Sequence, residues 1–506
     1  MSATFILLII IIYFSFLFII SWVTSKKADS NAYFLGNKQS PWYAVAFGLI
    51  GDSLSGVTFV SVPGAVAANQ FSYMQIVFGY VVGYVVIAQI LLPLYYKMNL
   101  TSIYTYLGKR LGDSSQKAGS FFFILSRLIG AAFRLYISAT VLQIFIFNAW
   151  EVPFAVTVSI IIILILLYTY RGGIKTLVWT DTLQSSFLLA GVILSIVAIA
   201  SSLNLNFSEL ISTVHNSEYS KIFFWDWQQK NYFLKQFFSG ALIAIVMTGL
   251  DQNMMQKNLS IRTLPEAQKN ILWFSVIVVI VNLFFVSLGV LLYEYANTMG
   301  IEVPAKTDQL FPMLALTHLG TFAAIVFILG ITAATFSSAD SVLTTLTTSF
   351  YIDILGVKPN NNDNGNINSL DAIEIERDKN KESQKNKNIR HLIHIAFAFL
   401  LLLVIILFES INNDTIINAV FTVAGYTYGP LLGLFAFGIL TKRNVINVLV
   451  PFTCIIPPVF CYYLNENSGD WFNGYQVGYE LLFINGLVTF ILLLCISKKP
   501  EKQFLV

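Results

Sequence analysis

Apolar runs of about 20 residues recur along the chain, separated by short polar stretches. As a helix, a run of that length crosses a hydrocarbon core of about 30 Å. Thirteen runs predict an all-α polytopic membrane protein with thirteen transmembrane helices. They centre near residues 14, 55, 86, 133, 161, 191, 246, 283, 335, 401, 428, 455 and 487. The second and seventh are flawed in the same way. One reads Tyr43-AVAFGLIGDSLSGVTFVSVPG-Ala65 and the other Phe237-FSGALIAIVMTGLDQNMM-Gln256. In each, glycines sit beside polar residues, which predicts a helix that stops inside the bilayer. These two runs open two groups of five. Broken helices at matching places in two halves point to the binding site of a secondary transporter. Backbone that leaves the helix in lipid needs new hydrogen-bond partners, and a bound ion or solute can supply them.

Composition agrees: 56% of residues are hydrophobic and only 11% charged, against about 25% charged in soluble domains. The net charge of +3 matters less than where the charges fall. The first run has no basic residue before it and Lys26-Lys27 after it, the reverse of a cleavable signal peptide. It is therefore read as a retained span with its N-terminus outside. Threading thirteen spans from there puts 24 of the 30 basic residues in inside loops and only Lys221, Lys230, Lys235 and Lys306 outside. Lys257 counts among the inside charges, while Arg127 and Arg134 fall within the fourth span. The asymmetry follows the positive-inside rule and makes the C-terminus cytoplasmic in a multi-pass cell-membrane protein.

The longest inside loop, 356–390, is polar and expected to be mobile. Its segment Asn360-NNDNGNINSL-Asp371 mimics a calcium loop, but most oxygens are amides and Asp replaces the usual final Glu; a low-complexity linker is the preferred reading. The outside loop from Asn204 to Lys235 carries Phe223-FWDW-Gln228, an aromatic interfacial segment. Cys454, Cys461 and Cys495 lie in apolar stretches and suggest neither disulfides nor zinc. His391 and His394 share a helical face but lack further metal ligands.

Ionisable residues inside a membrane are costly and point to function. Four groups carry that signal. Gly51-Asp52-Ser53-Leu54-Ser55-Gly56, with Thr58, Ser61 and Pro63, combines small residues that permit unwinding with hydroxyls and carbonyls that suit an alkali cation. Close helix packing explains the glycines but not Asp52. On the ninth span, Ala334, Ser337, Ser338 and Ser341 form one helical stripe with Asp340 beside it. That stripe could ligate a cation, or its hydroxyls could bond back to their own helix; Asp340 favours the ligand reading. Asp181, in Trp179-Thr-Asp-Thr-Leu-Gln184, reads locally as an N-cap or first-turn acid at the membrane surface, with a second cation ligand as the alternative. Arg127 and Arg134 lie seven apart on similar faces of the fourth span. Arg127 could snorkel to the surface; Arg134 could pair with an acid such as Asp52 or hold a solute carboxylate.

No phosphate-binding glycine loop, nucleophile elbow or zinc-helix motif is present. The chain is not expected to be an enzyme, to hold an organic cofactor or transition metal, or to bind nucleic acid.

Several motifs together resemble the sodium/solute symporter family, which includes proline, sodium/glucose and sialic acid transporters. They are Gly172-Gly173 through Gln184; Asp251-QNMMQKNLSIRTLPEA-Gln268; Ala334-TFSSADS-Val342; and Tyr426-TYGPLLGLFAFGILTKR-Asn444. The resemblance covers nearly the whole chain. It implies a LeuT-like core of two inverted five-helix repeats, 42–203 and 235–440, within a single transmembrane domain. An extra N-terminal span (1–25) and two C-terminal spans (445–497) flank that core. It implies a principal sodium site at Gly51, Leu54, Ala334, Ser337 and Ser338. It implies a second cation site at Asp181, Ser337, Asp340 and Ser341, where Asp340 replaces the serine of two-sodium members and could carry a proton. Ser55 and Thr58 are similar to hydroxyl residues that hold a carboxylate in sialic acid transporters, which makes them expected substrate contacts, with Tyr73, Gln75 and Arg134 as further lining candidates.

The expected function is Na+-coupled import of a small organic solute by alternating access. The lean is toward a carboxylate-bearing solute such as a sialic acid, amino acid or monocarboxylate. Sugar transporters tend to place Gln at the position of Thr58 and an aromatic gate near Met247, and neither is present. A proton-coupled transporter and a sugar or polyol symporter are the near alternatives; a channel and a solute sensor are further ones.

Overall fold

The computed structural model of the chain describes residues 3–25, 30–357, 372–411 and 416–499. The calcium-loop mimic at 360–371 lies outside the described residues. In chain order the apolar helices are α1 (Thr4–Ser25), α2 (Trp42–Ser53 and Gly56–Gly64, bent by 55°), α3 (Val66–Lys97) and α4 (Asp113–Ile144). There follow α5 (Phe154–Thr169), α6 (Gly173–Ser202), α7 (Phe233–Gly249 and Gln252–Leu259, bent by 62°) and α8 (Leu264–Thr298). The last are α9 (Gly320–Ile354), α10 (Lys387–Ser410), α11 (Val420–Thr427 and Gly429–Leu440, bent by 42°), α12 (Asn447–Trp471) and α13 (Leu481–Cys495).

Eight of these are long and apolar enough to cross a bilayer, and up to eleven if each bent pair is one span. The helices α5 and α13 are shorter, so the expected thirteen is reached only in helix number, not in span length. Strand structure among the described residues is limited to Asn444–Val445 paired antiparallel with Ser497–Lys498, and a bridge from Ser40 to Ile261. Helix α10 extends back to Ala372, so 372–390, read from sequence as loop, is helical.

The depth of burial orders the bundle. In α9, 83% of the apolar window is buried, against 28% in α1 and α10 and 33% in α12, which makes α9 the central helix. Peripheral helices turn large apolar side chains outward, among them Trp22, Phe399 and Phe452. Such a surface fits a lipid environment. Close packing depends on small residues. A Cβ on Gly79 of α3 would come 2.0 Å from the Phe237 carbonyl of α7, and one on Gly240 of α7 would come 2.2 Å from the Ile76 carbonyl. Backbone meets backbone there, a contact that glycine permits in membrane helices.

Between α5 and α6 the chain turns at Gly173, whose φ of 52° and ψ of −147° leave the helix. A Cβ there would lie 2.5 Å from the Tyr33 carbonyl, so both the left-handed φ and the space require glycine.

Candidate solute and cation site

The first half of α2 ends at Ser53. Leu54 (φ −100°, ψ 82°) and the extended Ser55 follow, and helix resumes at Gly56. This break frees carbonyls, and two of them, on Gly51 and Leu54, accept from no donor among the described residues. The Asp52 carbonyl accepts from Arg134 Nη1 at 3.3 Å.

The break in α7 is different. A π turn at Ile245–Gly249 and a non-helical Asp251 interrupt it, yet its freed carbonyls are taken. Met247 accepts from Arg127 (3.3 Å), Gly249 from the Tyr95 hydroxyl (2.8 Å) and Leu250 from the Tyr104 hydroxyl (3.0 Å). The Asp251 side chain caps the second half through the Met254 N–H. It also accepts from Arg127 Nε at 2.5 Å and from the Tyr428 hydroxyl at 2.8 Å. Arg127 is therefore a paired internal cation rather than a snorkelling one. One broken helix is closed by its neighbours; the other keeps bare oxygens.

Ser337 of the α9 stripe lies against Gly51. A Cβ on Gly51 would sit 2.5 Å from Ser337 Oγ and 2.9 Å from Ser185 Oγ, so only glycine fits there. The Gly51 N–H donates to Ser185 Oγ. Ser338 Oγ donates to the Ala334 carbonyl at 3.1 Å, the back-bonding expected of helical serine. Its oxygen lone pairs are not consumed by donating. Asp52 Oδ1 is buried without a hydrogen-bond partner among the described residues. Carbonyl and hydroxyl oxygens can replace the hydration shell of an alkali cation; of the expected set, the Gly51 and Leu54 carbonyls are bare among the described residues, whereas the Ala334 carbonyl already accepts from Ser338 Oγ and Ser337 Oγ leans toward Asp181.

The second set of acids is organised differently from the expectation. Asp181 is fully buried well inside α6, not at a helix start. Its Oδ2 lies 2.5 Å from Lys257 Nζ, and its Oδ1 accepts a long contact from Ser337 Oγ at 3.5 Å. Lys257 also pairs with Asp52 Oδ2 and donates to Ser341 Oγ at 2.7 Å. Asp340 accepts from the Tyr168 hydroxyl (2.8 Å) and the Ser341 N–H (2.5 Å). Charge counting places Lys257 in a cytoplasmic loop; it is instead buried to the tip. The polar run Gln252, Asn253, Gln256, Lys257 and Asn258 is the signal that could have found it, since every residue of that short helix is buried.

Above the α2 break lies a cavity of about 80 Å³, lined by Ser55, Thr58, Tyr73 and Arg134 among others. Gln75 is absent from it. That side chain donates to the Asn231 carbonyl (2.9 Å) and accepts from the Phe224 N–H (3.3 Å), tying α3 to the loop before α7. Arg134 is buried, and among the described residues no carboxylate forms an ion pair with it; the Asp52 side chain has gone to Lys257. A second cavity of about 260 Å³ continues toward Lys230 in the loop before α7 and Asn465 of α12, and Tyr73 and Phe421 line both. His394 lies between the hydroxyls of Thr169 and Thr347.

A bundle of long apolar helices, with bare backbone oxygens at the α2 break beside a small polar cavity, is the architecture of a membrane transporter. The chain belongs to the sodium:solute symporter family, whose family model matches residues 33–369. It is 24% identical over 339 residues to a sodium/sialic acid symporter of Proteus mirabilis, covering 66% of this chain and 67% of that one. It is 24% identical over 440 residues to the human sodium-coupled monocarboxylate transporter 1, covering 84% of this chain and 67% of that one. The aligned part thus spans about two thirds of these relatives. Its fold matches that of a Na+-coupled sialic acid symporter solved in a substrate-bound outward-open state, with a TM-score of 0.79, 20% identity and coverage of 98% and 99% of the two chains.

Proposed function

We propose that this protein is a sodium-coupled symporter that imports a carboxylate-bearing organic solute by alternating access. The observation that carries the reading is the buried Arg134 guanidinium, without an ion-pair partner among the described residues, which lines a cavity together with Ser55, Thr58, Tyr73 and Leu54 of the α2 break. A carboxylate offers that guanidinium two parallel hydrogen bonds. Sodium at Gly51, Leu54, Ala334, Ser337 and Ser338 would hold the α2 break in one shape, and that shape presents Ser55 and Thr58 to the solute. Sialic acid and monocarboxylate relatives support this solute class.

The proposed topology counts α1–α13 as thirteen spans, with the N-terminus outside and the C-terminus cytoplasmic. Helices α2–α6 and α7–α11 form the two inverted repeats. The matching breaks in α2 and α7 support that division. One charge crossing 100 mV supplies about 2.3 kcal/mol, so a single sodium can drive substantial accumulation.

The test is thermal stabilisation of the purified protein by sialic acids, amino acids, monocarboxylates, sugars and polyols, each in sodium and in potassium. A carboxylate solute that stabilises only in sodium is the expected result. Equal shifts in both salts would remove sodium coupling, and a sugar or polyol hit would remove the carboxylate assignment.

A further inference from the structure

The Lys257 ammonium stands where a second coupling ion would be expected. Its three N–H donors meet three oxygens: Asp52 Oδ2, Asp181 Oδ2 at 2.5 Å and Ser341 Oγ at 2.7 Å. Two of those ligands, Asp181 and Ser341, are residues from which a second cation site would be built. The four side chains come from four helices: α2 before its break, α6, α7 after its break, and α9. All four are buried, so no solvent competes for these contacts. A small alkali cation and an ammonium tip need the same thing here, oxygen lone pairs around one positive charge, and the position cannot hold both.

We propose that Lys257 is a built-in cation that fills the second site, so that this transporter binds one sodium ion per chain. The proposal rests on the sodium-symport reading above. It assigns the α7 lysine a role in ion stoichiometry in addition to its role in packing. Asp181 then lies between the two charges, with Oδ2 on the lysine and Oδ1 toward Ser337 of the principal site. Removing the ammonium while sparing Asp181 and Ser341 should open a place for a second sodium.

The test counts bound radioactive sodium on the purified full chain and follows sodium-dependent thermal stability, with potassium holding ionic strength constant. The Hill coefficient is bounded by the number of sites. The wild type should bind one sodium without cooperativity, and Ser338→Ala should weaken or abolish that binding. The double variant Lys257→Gln/Asp52→Asn removes one charge of each sign and leaves Asp181 for the incoming ion. It should bind two, with the Hill coefficient rising above one. Lys257→Arg should keep one.

Two sodium ions on the wild type would overturn the proposal and leave the symport reading intact. A folded double variant that still binds one would do the same. If the double variant does not fold, the wild-type count decides: one ion, weakened by Ser338→Ala, upholds the proposal, and one ion indifferent to Ser338→Ala overturns it. A wild type that binds no sodium contradicts the symport reading itself, and the proposal falls with it.

Discussion

In the proposed site Arg134 serves the solute and Ser338 the ion, so the two can be tested separately. The guanidinium of Arg134 has only the Asp52 carbonyl as a hydrogen-bond partner among the described residues, so its loss should act on the solute. Hydrogen bonds to charged groups contribute about 1.5–3 kcal/mol. Arg134→Gln should therefore weaken half-saturation by a carboxylate solute roughly tenfold to a hundredfold, while sodium-dependent stabilisation persists. Arg134→Lys should recover little, because an ammonium lacks the planar fork. Solute affinity unchanged in Arg134→Gln would remove this residue from the site. Ser338→Ala deletes one proposed hydroxyl ligand and one back-bond to its own helix. Half-saturating sodium should rise about tenfold, a loss of about 1.4 kcal/mol, with the folded protein retained. Sodium activation equal to wild type would contradict the ligand set. Lys257 taken alone is a poor test residue. Its removal leaves Asp52 and Asp181 buried without a cation, a break that costs about 3–5 kcal/mol, and so its role is tested in the charge-balanced double variant.

At the scale of the helix, the two breaks are alike in sequence and different in chemistry. The α7 break is held by Arg127, Tyr95, Tyr104 and Tyr428, with Asp251 at the centre. Asp251→Asn should lower the thermal midpoint by the equivalent of about 3–5 kcal/mol, since Arg127 is left buried without its counter-charge. Replacing both partners, Arg127→Met with Asp251→Asn, should cost less than Asp251→Asn alone. A midpoint unmoved by Asp251→Asn would contradict the closed-break reading. The breaks themselves are legible in the sequence, because glycine weakens a helix and a polar neighbour in an apolar run can take up the backbone that it frees. The stripe on α9 is legible too, because its spacing of three and four fixes one face. Lys257 is not. Charge counting assigns any lysine beyond a span end to a loop, whereas the turn at Asp251 directs the following helix back into the bundle. Gln75 escapes for a different reason: α3 has buried residues on several faces, so periodicity does not tell the cavity face from the face toward the outer loop. Asp181 is misplaced by sequence because the chain turns at Gly173, which begins α6 well before the acid.

Across the whole molecule, the candidate site sits where α2, α3, α4 and α7 come together beside the central α9, and the less buried helices α1, α10 and α12 lie outside that core. Fold and family are carried by span pattern and motifs together, whereas the charge network in the middle of the bundle needs three dimensions. Three buried carboxyls, Asp52, Asp181 and Asp340, face one lysine, and a bound sodium would add the next positive charge to this cluster. The proposed ion ligands, the α2 break and the proposed solute cavity are thus neighbours in one small volume, the arrangement that coupled transport requires.

The most direct measurement is uptake of a carboxylate solute identified by the stabilisation panel, into liposomes containing the purified protein. An inward sodium gradient should drive accumulation above equilibrium, an inward potassium gradient should not, and collapse of the sodium gradient should release the solute. Accumulation driven equally by an inward proton gradient with sodium absent would contradict sodium coupling. It would make the buried carboxyls, rather than the oxygens of Gly51, Leu54, Ala334, Ser337 and Ser338, the seat of the coupling ion.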